Sequence, residues 1–423
     1  MKKTIVLLML LMGLSPLAQA DADTTGDAAK EWSAYIDGLA PLGEKMASQL
    51  TDPNDPQSRQ ELYQLMFNTL AKAYFAMVFQ NPDHPDFWPI FNAGFNDALP
   101  NADTVYYATA IDGKGSYKIR GFRGTRKLAH LQIGTGEFAV YGRGKFGLTL
   151  ANHDLSTDVH LGKDGSFEVV ISADRPKGYK GDWWKLDASA NYIFIRQVSY
   201  DWLHEVDGRF AIERLDTPAI KPRDSAAELS AKLAQISTFV ANWTQFEVSW
   251  GEKFGHEREQ GLVNKVGLRD FSKLVGMAGQ TYINGLFDLA PDEALILETE
   301  VPKKCSYWNF QLFDELNSSI DMNNRQTSIN GFSAKLDKDG KFRAVVSAQD
   351  PGVPNWLDTA GHPRGHVYGR WTVCDSNPQP QITKVKVTDV RQYLPKDTPV
   401  VTAEARDASI RLRRVGAQLR RRW

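Results

Sequence analysis

Several familiar features are missing from this sequence. Beyond the first twenty residues no stretch reaches the roughly 18 apolar residues that a membrane-crossing helix requires, so the rest of the chain is expected to be soluble. No charge dominates: 50 Lys and Arg stand against 51 Asp and Glu. That balance gives no electrostatic case for nucleic acid as a partner. No G-x-S-x-G elbow occurs, which argues against an ordinary α/β-hydrolase. GRGKFG (142–147) has the glycines of a dinucleotide loop but no βαβ unit around it, and the strand-like GLTLAN follows. It reads as a glycine-rich hairpin. His130, His153 and His160 could gather near one another, yet nothing fixes a metal geometry. His362 and His366 have zincin spacing, but no glutamate lies between them, and Pro363 and Gly365 oppose a helix. Neither a metal nor a cofactor is expected.

The first twenty residues carry a distinct signal. Lys2 and Lys3 precede the apolar run IVLLMLLMGL, which is too short to span a bilayer, and Ala18-Gln19-Ala20 forms a cleavage box. Cleavage after Ala20 and a periplasmic or secreted location are expected. Only two cysteines occur. In an oxidising compartment Cys305 and Cys374 are expected to pair. Each sits in a strand-like run, and closing a loop of about 70 residues would contribute about 4 kcal/mol on the chain-entropy model. Two separately buried thiols are the alternative.

The remaining residues divide by hydrophobic period. Residues 21–100 read as a helical segment, with Ser58 as a candidate N-cap. From 101 to 215 the period becomes two, and Asp112-Gly113, Asp164-Gly165 and Asp207-Gly208 punctuate the strand-like runs as hairpin signals. Residues 216–285 read as a helical connector, 286–395 as a second strand-rich region and 396–423 as a basic tail, either helical or loose. DGSFEVVISADRP (164–176) resembles DGKFRAVVSAQDP (339–351). Continued with short gaps, the match sets Trp184 on Trp356, Asp187 on Asp358, Arg196 on Arg370 and Gln132 on Gln311. The expected fold is therefore mainly β with helical segments: two related β-sandwich or jelly-roll domains, each preceded by helices.

The repeat sorts the polar residues. Trp356, Asp358 and Arg370 have counterparts in the first copy and lean towards scaffold. Asn355, His362, Arg364 and His366 occur only in the second copy, as do Asp321, Asn323, Asn324 and Arg325 in DMNNRQTSING. The walls NWLDTAGH and DMNNRQ are expected to enclose a ligand cleft. Asp350 and Asp358 are the carboxylates available for catalysis, and His362 is the titratable base. Asn309, Gln311, Asp321, Arg325, Asn355, Trp356 and Arg364 are candidate substrate contacts. A solvated loop with locally satisfied side chains is the alternative.

YWNFQLFDELNSSIDMNNRQTSING and DPGVPNWLDTAGHPRGHVYGRW together resemble the bacterial "domain of unknown function 1214" family, over roughly residues 285–390. NADTVYY (101–107) resembles the N-P-D-T-x-Y run of the partner "domain of unknown function 1254", with Ala102 in place of the proline. The resemblance implies a β-sandwich or jelly-roll architecture, often in exported proteins, and no established reaction. It marks Trp308, Asn309, Gln311, Arg325, Asp350, Asn355, Trp356 and Asp358 as the family pattern. The functional expectation is an exported protein that binds, and as a glycosidase-like enzyme hydrolyses, a small or glycan-like ligand. A non-catalytic binder of a small apolar compound and a structural envelope protein are the alternatives. The oligomeric state is not legible.

Overall fold

The computed structural model describes residues 28–136, 147–270, 277 and 279–420. The first twenty residues (read as an export signal), the run EFAVYG and all but the last residue of GRGKFG lie outside the described residues.

Two β-sandwiches of one topology dominate the chain. In the first, β1 (Thr104–Ala110), β7 (Tyr192–Val198), β3 (Leu128–Thr135) and β4 (Leu148–Asp154) lie side by side in that order. Its second sheet runs β6 (Asp182–Lys185), β5 (Ser166–Ser172), β2 (Tyr117–Phe122), β8 (Arg209–Arg214). After β9 (Lys265–Asp270), the second sandwich repeats this order strand for strand. One sheet is β10 (Gln280–Asp288), β16 (Arg364–Cys374), β12 (Cys305–Phe313), β13 (Ser328–Asn330). The other is β15 (Trp356–Asp358), β14 (Phe342–Ser347), β11 (Glu293–Thr299), β17 (Gln381–Lys386). Alternation drives the packing. Ile119, Leu131, Ile133, Val169, Ile171, Ile193 and Ile195 fill one core, and Leu295, Leu297, Phe310, Leu312, Ala344 and Val346 the other.

The register refines the repeat. β5–β6 and β14–β15 are both parallel pairs, with Val170 opposite Trp183 and Val345 opposite Trp356. Trp183, not Trp184, is thus the counterpart of Trp356, and the Asp187–Asp358 match slips with it. Chemistry agrees: the Trp183 indole donates to Ser172 Oγ over 3.0 Å and that of Trp356 to Ser347 Oγ over 3.1 Å. Trp184 is buried in the first core, stacked on His153. Arg196 and Arg370 do occupy matching places, opposite His130 and Asn309. The Asp-Gly signals also differ from expectation. Asp112-Gly113 and Asp207-Gly208 join strands of different sheets, so they are corners between layers. Gly165 and Gly340 do form tight turns, each at φ +79°, a conformation glycine adopts freely.

The helices form one layer. α1 (Ala28–Leu39), α2 (Leu42–Ala47), α3 (Pro56–Ala73) with a π-helical turn at Tyr74–Phe79, and α4 (Ala226–Glu259) pack on one another. Leu62, Leu65, Phe239 and Trp243 share a core with Trp88, Phe91, Tyr106 and Phe194, which seats this layer against the first sandwich. The span read as a connector therefore holds α4, β9 and the start of β10, and α4 does not stand alone before the second sandwich. Asp55, rather than Ser58, caps α3: its carboxylate accepts from Ser58 N over 2.8 Å, and Pro56 opens the helix. The basic tail contains a helix, α5 (Ala403–Leu419), started by the Thr402 cap. Cys305 and Cys374 face each other across β12 and β16 and are disulfide-bonded. Among the described residues, no helix is long and apolar enough to cross a membrane.

Candidate functional site

Helix α3 sets one wall of a cleft against the second sandwich. Its apolar face turns Leu62 and Leu65 into the core, which leaves Glu61, Gln64 and Asn68, one and two turns apart, facing the cleft. The β12–β13 loop supplies Asp314, Ser318, Ser319 and Asp321, and the β15–β16 loop supplies Ala360 and His362. Asn96 and Gly94 complete a space of about 360 Å³.

The titratable groups are held in fixed roles. His362 Nδ1 meets the Thr359 carbonyl at 2.7 Å, and Nε2 meets Glu61 Oε1 at 2.6 Å. Both ring nitrogens face acceptors, an arrangement a protonated ring satisfies by donating twice. Burial opposes that charge, but the hydrogen bond and charge of Glu61, with the charge of Asp314, raise its pKa above 6.5. His362, expected as the titratable base, thus has both ring nitrogens engaged, one of them on Glu61. Asp314 is buried, and its Oδ1 accepts from Leu316 N (2.9 Å) and Ser318 N (2.8 Å). Burial, then the charge of Glu61, pushes its pKa up to about 7. The cleft thus offers Asp314, a carboxyl whose pKa is pushed up to about 7, beside Glu61, which is hydrogen-bonded to His362.

Behind α3 lies a second charged cluster, sealed from the cleft. Lys72 pairs with Asp97, which also accepts from Trp243 Nε1 at 2.8 Å. Glu247 is fully buried and accepts from Asn317 Nδ2 at 3.0 Å. Burial and then the nearby Asp97 charge raise the Glu247 pKa well above the ordinary value. One lysine thus stands beside two buried carboxyls.

The structure gathers only part of the expected site. His362 and Asp321 line the cleft. The two loops do adjoin, because Arg325 Nη1 reaches Asp358 Oδ2 over 2.8 Å and Asp358 N donates to Gln326 O over 3.0 Å. They stand side by side rather than opposite, and α3 is the facing wall. Asp358 is buried as a cap for Ala360 N, and Asp350 is bound by Arg406 at 2.9 Å, so neither lines the cleft. Asn355 donates to the carbonyls of Lys335 and Arg343, tying down the β15 end, and Arg364 pairs with Glu315 at 3.2 Å. Trp356 is buried under the guanidinium of Arg406.

Asn309 and Gln311 hold the two halves of the molecule together. Gln311 accepts from Ala102 N at 3.0 Å and donates to Pro100 O at 3.0 Å, and Asn309 donates to Asn101 Oδ1 at 3.0 Å. Tyr307 donates to Asp103 Oδ2 at 2.6 Å. Asn101, Ala102 and Asp103, just ahead of β1, are therefore buried between the two sandwiches. Sequence reading missed Glu61, Gln64, Asn68 and Asp314. The first three form a polar stripe on a helix assigned only to packing, and Asp314 sits inside the quoted FDELNSS run.

Among known families, residues 287–373 match the model described as a protein of unknown function, DUF1214. The likeness read from the C-terminal motifs is thus shown for that part of the chain. The match does not extend to NADTVYY. Among solved structures, an uncharacterized protein from Burkholderia cenocepacia superposes with a TM-score of 0.77 at 26% identity, over 85% of this chain and 98% of its own. A Vibrio parahaemolyticus protein reaches a TM-score of 0.44 at 12% identity, over 81% of this chain and all of its own, too low to carry an argument. No curated protein sequence matches the chain.

Proposed function

We propose that this protein is an exported hydrolase whose substrate is a small, hydroxyl-rich molecule of the glycan class, bound in the cleft between α3 and the second sandwich. The observation that carries the reading is that Asp314, whose pKa is pushed up to about 7, and Glu61, hydrogen-bonded to His362, line one cleft. An acid and a base in one cleft are the requirement for cleaving a glycosidic or similar C–O bond. Asp314 would give its proton to the leaving oxygen, and Glu61 would take one from water. Gln64, Asn68, Asn96 and Ser318 supply the directional donors and acceptors that orient hydroxyl groups. The disulfide fits the exported location.

The reading as a binder of apolar compounds is favoured by one observation elsewhere. A cavity of about 450 Å³ beside α5 is lined by Trp202, Leu203, Ile329, Phe332 and Ile410. A thermal-shift screen of sugars, polyols and short oligosaccharides against hydrophobic compounds separates the two. The proposal expects stabilisation by a hydroxylated compound that is lost in Glu61→Gln and Asp314→Asn. Stabilisation only by apolar compounds, unaffected by those changes, would overturn it.

A further inference from the structure

Helix α5 is docked the wrong way round for a water-facing helix. A surface helix ordinarily turns its apolar stripe to the core and its charges to solvent. Here arginines go inward. Arg406 reaches Asp350 and the Val353 carbonyl, Arg413 reaches Met322 O at 2.8 Å and Ser328 Oγ at 2.6 Å, and Arg420 bonds the carbonyls of Ala102 and Asp103. Arg413 and Arg420 also lie over the Trp202 ring, and Gly416 allows the close approach, because an added Cβ would meet Trp202. These anchors, seven residues or two turns apart at 406, 413 and 420, fix the rotation of the helix about its axis.

That rotation turns an apolar stripe outward. Ala405, Ala408, Leu412, Val415 and Leu419 recur at intervals of three and four, which places them along one side of the helix. All five are exposed, with Leu412 at 57%, Val415 at 46% and Leu419 at 55%. Phe332, 59% exposed, shares a cavity wall with Leu412 and widens the patch. The flank beside the stripe is basic. Arg411 and Arg414 are exposed there, the first next to Asp407 and the second against Asn324. Glu404 and Asp407 lie nearer the helix start, but from Arg411 to Arg422 the sequence holds six arginines and no acidic residue.

An exposed apolar stripe with a cationic flank suits an interface that is greasy below and negatively charged above. We propose that α5 lies on an anionic lipid surface, its stripe inserted among the acyl chains and Arg411 and Arg414 among the headgroups. The inward arginines are then orienting anchors, which hold the helix parallel to that surface. The chain does not cross the bilayer through this helix, and the contact is reversible and salt-sensitive.

The test reads α5 itself. In the full chain, Val415→Cys supplies a single free thiol, since Cys305 and Cys374 are bonded, and an environment-sensitive nitrobenzoxadiazole dye is attached there. Vesicles of phosphatidylglycerol with phosphatidylcholine should shift its emission to the blue and brighten it. Vesicles of phosphatidylcholine alone should not, and added salt should reverse the change. The same dye at Gln418→Cys, on the polar side, should respond far less. Arg411→Glu with Arg414→Glu should abolish the response at Val415. Four results would overturn the proposal. They are no shift with the anionic vesicles, an equal shift with both vesicle types, an equal response at Gln418, or a shift without vesicles that grows with protein concentration and so marks self-association.

Discussion

His362 Nε2 and Glu61 Oε1 meet at 2.6 Å, although 301 positions separate them in the chain. This contact locks the second sandwich to the helical layer and leaves one edge of the cleft charged. Because the folded His362 holds its proton above pH 6.5, its contribution to stability is complete below that pH and is lost as the pH rises through the folded value. The melting temperature lost in His362→Gln should therefore be larger at pH 6 than at pH 9. Thermal melts at both pH values check this, and an equal loss at both would refute the imidazolium assignment.

Asp314 gives the same direction through a different group. Its carboxyl rises from 3.8 to about 7 on folding, so between these values the unfolded chain sheds the proton first. Stability should fall as pH climbs through that window, by on the order of 4 kcal/mol in total. Asp314→Asn keeps an oxygen for the Leu316 and Ser318 amides and has no proton to lose. Urea titrations from pH 4 to 7 should show a flatter slope in this variant than in the unsubstituted protein.

The buried Lys72–Asp97 pair should be unforgiving of a single change. Removing one partner strands a charge in a site where burial already penalises it. Lys72→Met is expected to cost about 3–5 kcal/mol, read by equilibrium unfolding. Lys72→Met combined with Asp97→Asn should recover part of that loss, since no unpaired charge then remains between them.

Trp356 and Arg325 should separate packing from surface charge. Trp356 is buried and donates its indole to Ser347, so Trp356→Ala should cost about 3–5 kcal/mol. The Arg325 side chain is 47% exposed, and its pairing with Asp358 is correspondingly discounted, so Arg325→Ala should cost about 1 kcal/mol or less. Both are measured by chemical denaturation, and a reversed ranking would show that the corner is held by charge.

What was legible in the sequence follows from where the information sits. Period-two runs and the repeated DG-x-F pattern announced two like sandwiches, because alternation and turn chemistry are local properties. The pairing of Cys305 with Cys374 was legible from their strand positions and the expected oxidising compartment. The Trp184–Trp356 match failed by one residue because gaps in a short β loop leave no local signal of register, and only the parallel pairing with Val170 and Val345 fixes it. His362 and Asp321, which the second copy adds, both line the cleft beside α3. Asp350 and Asp358 lie outside that cleft, since a carboxylate that pins Arg406 or caps Ala360 looks the same in sequence as one that faces a ligand. Glu61 was invisible for a further reason: it lies on a helix three hundred residues from its partner, and no local pattern links them.

The central claim is that Asp314 and Glu61 act as acid and base on one substrate. Its most direct measurement is the pH profile of fluorophore release from a panel of fluorogenic glycosides, using the purified protein, Glu61→Gln and Asp314→Asn. The account predicts turnover of at least one glycoside, falling above about pH 7 as Asp314 loses its proton. Each variant should lower it by about 100-fold or more. Turnover that survives both substitutions, or a complete absence of turnover across the panel, would contradict it.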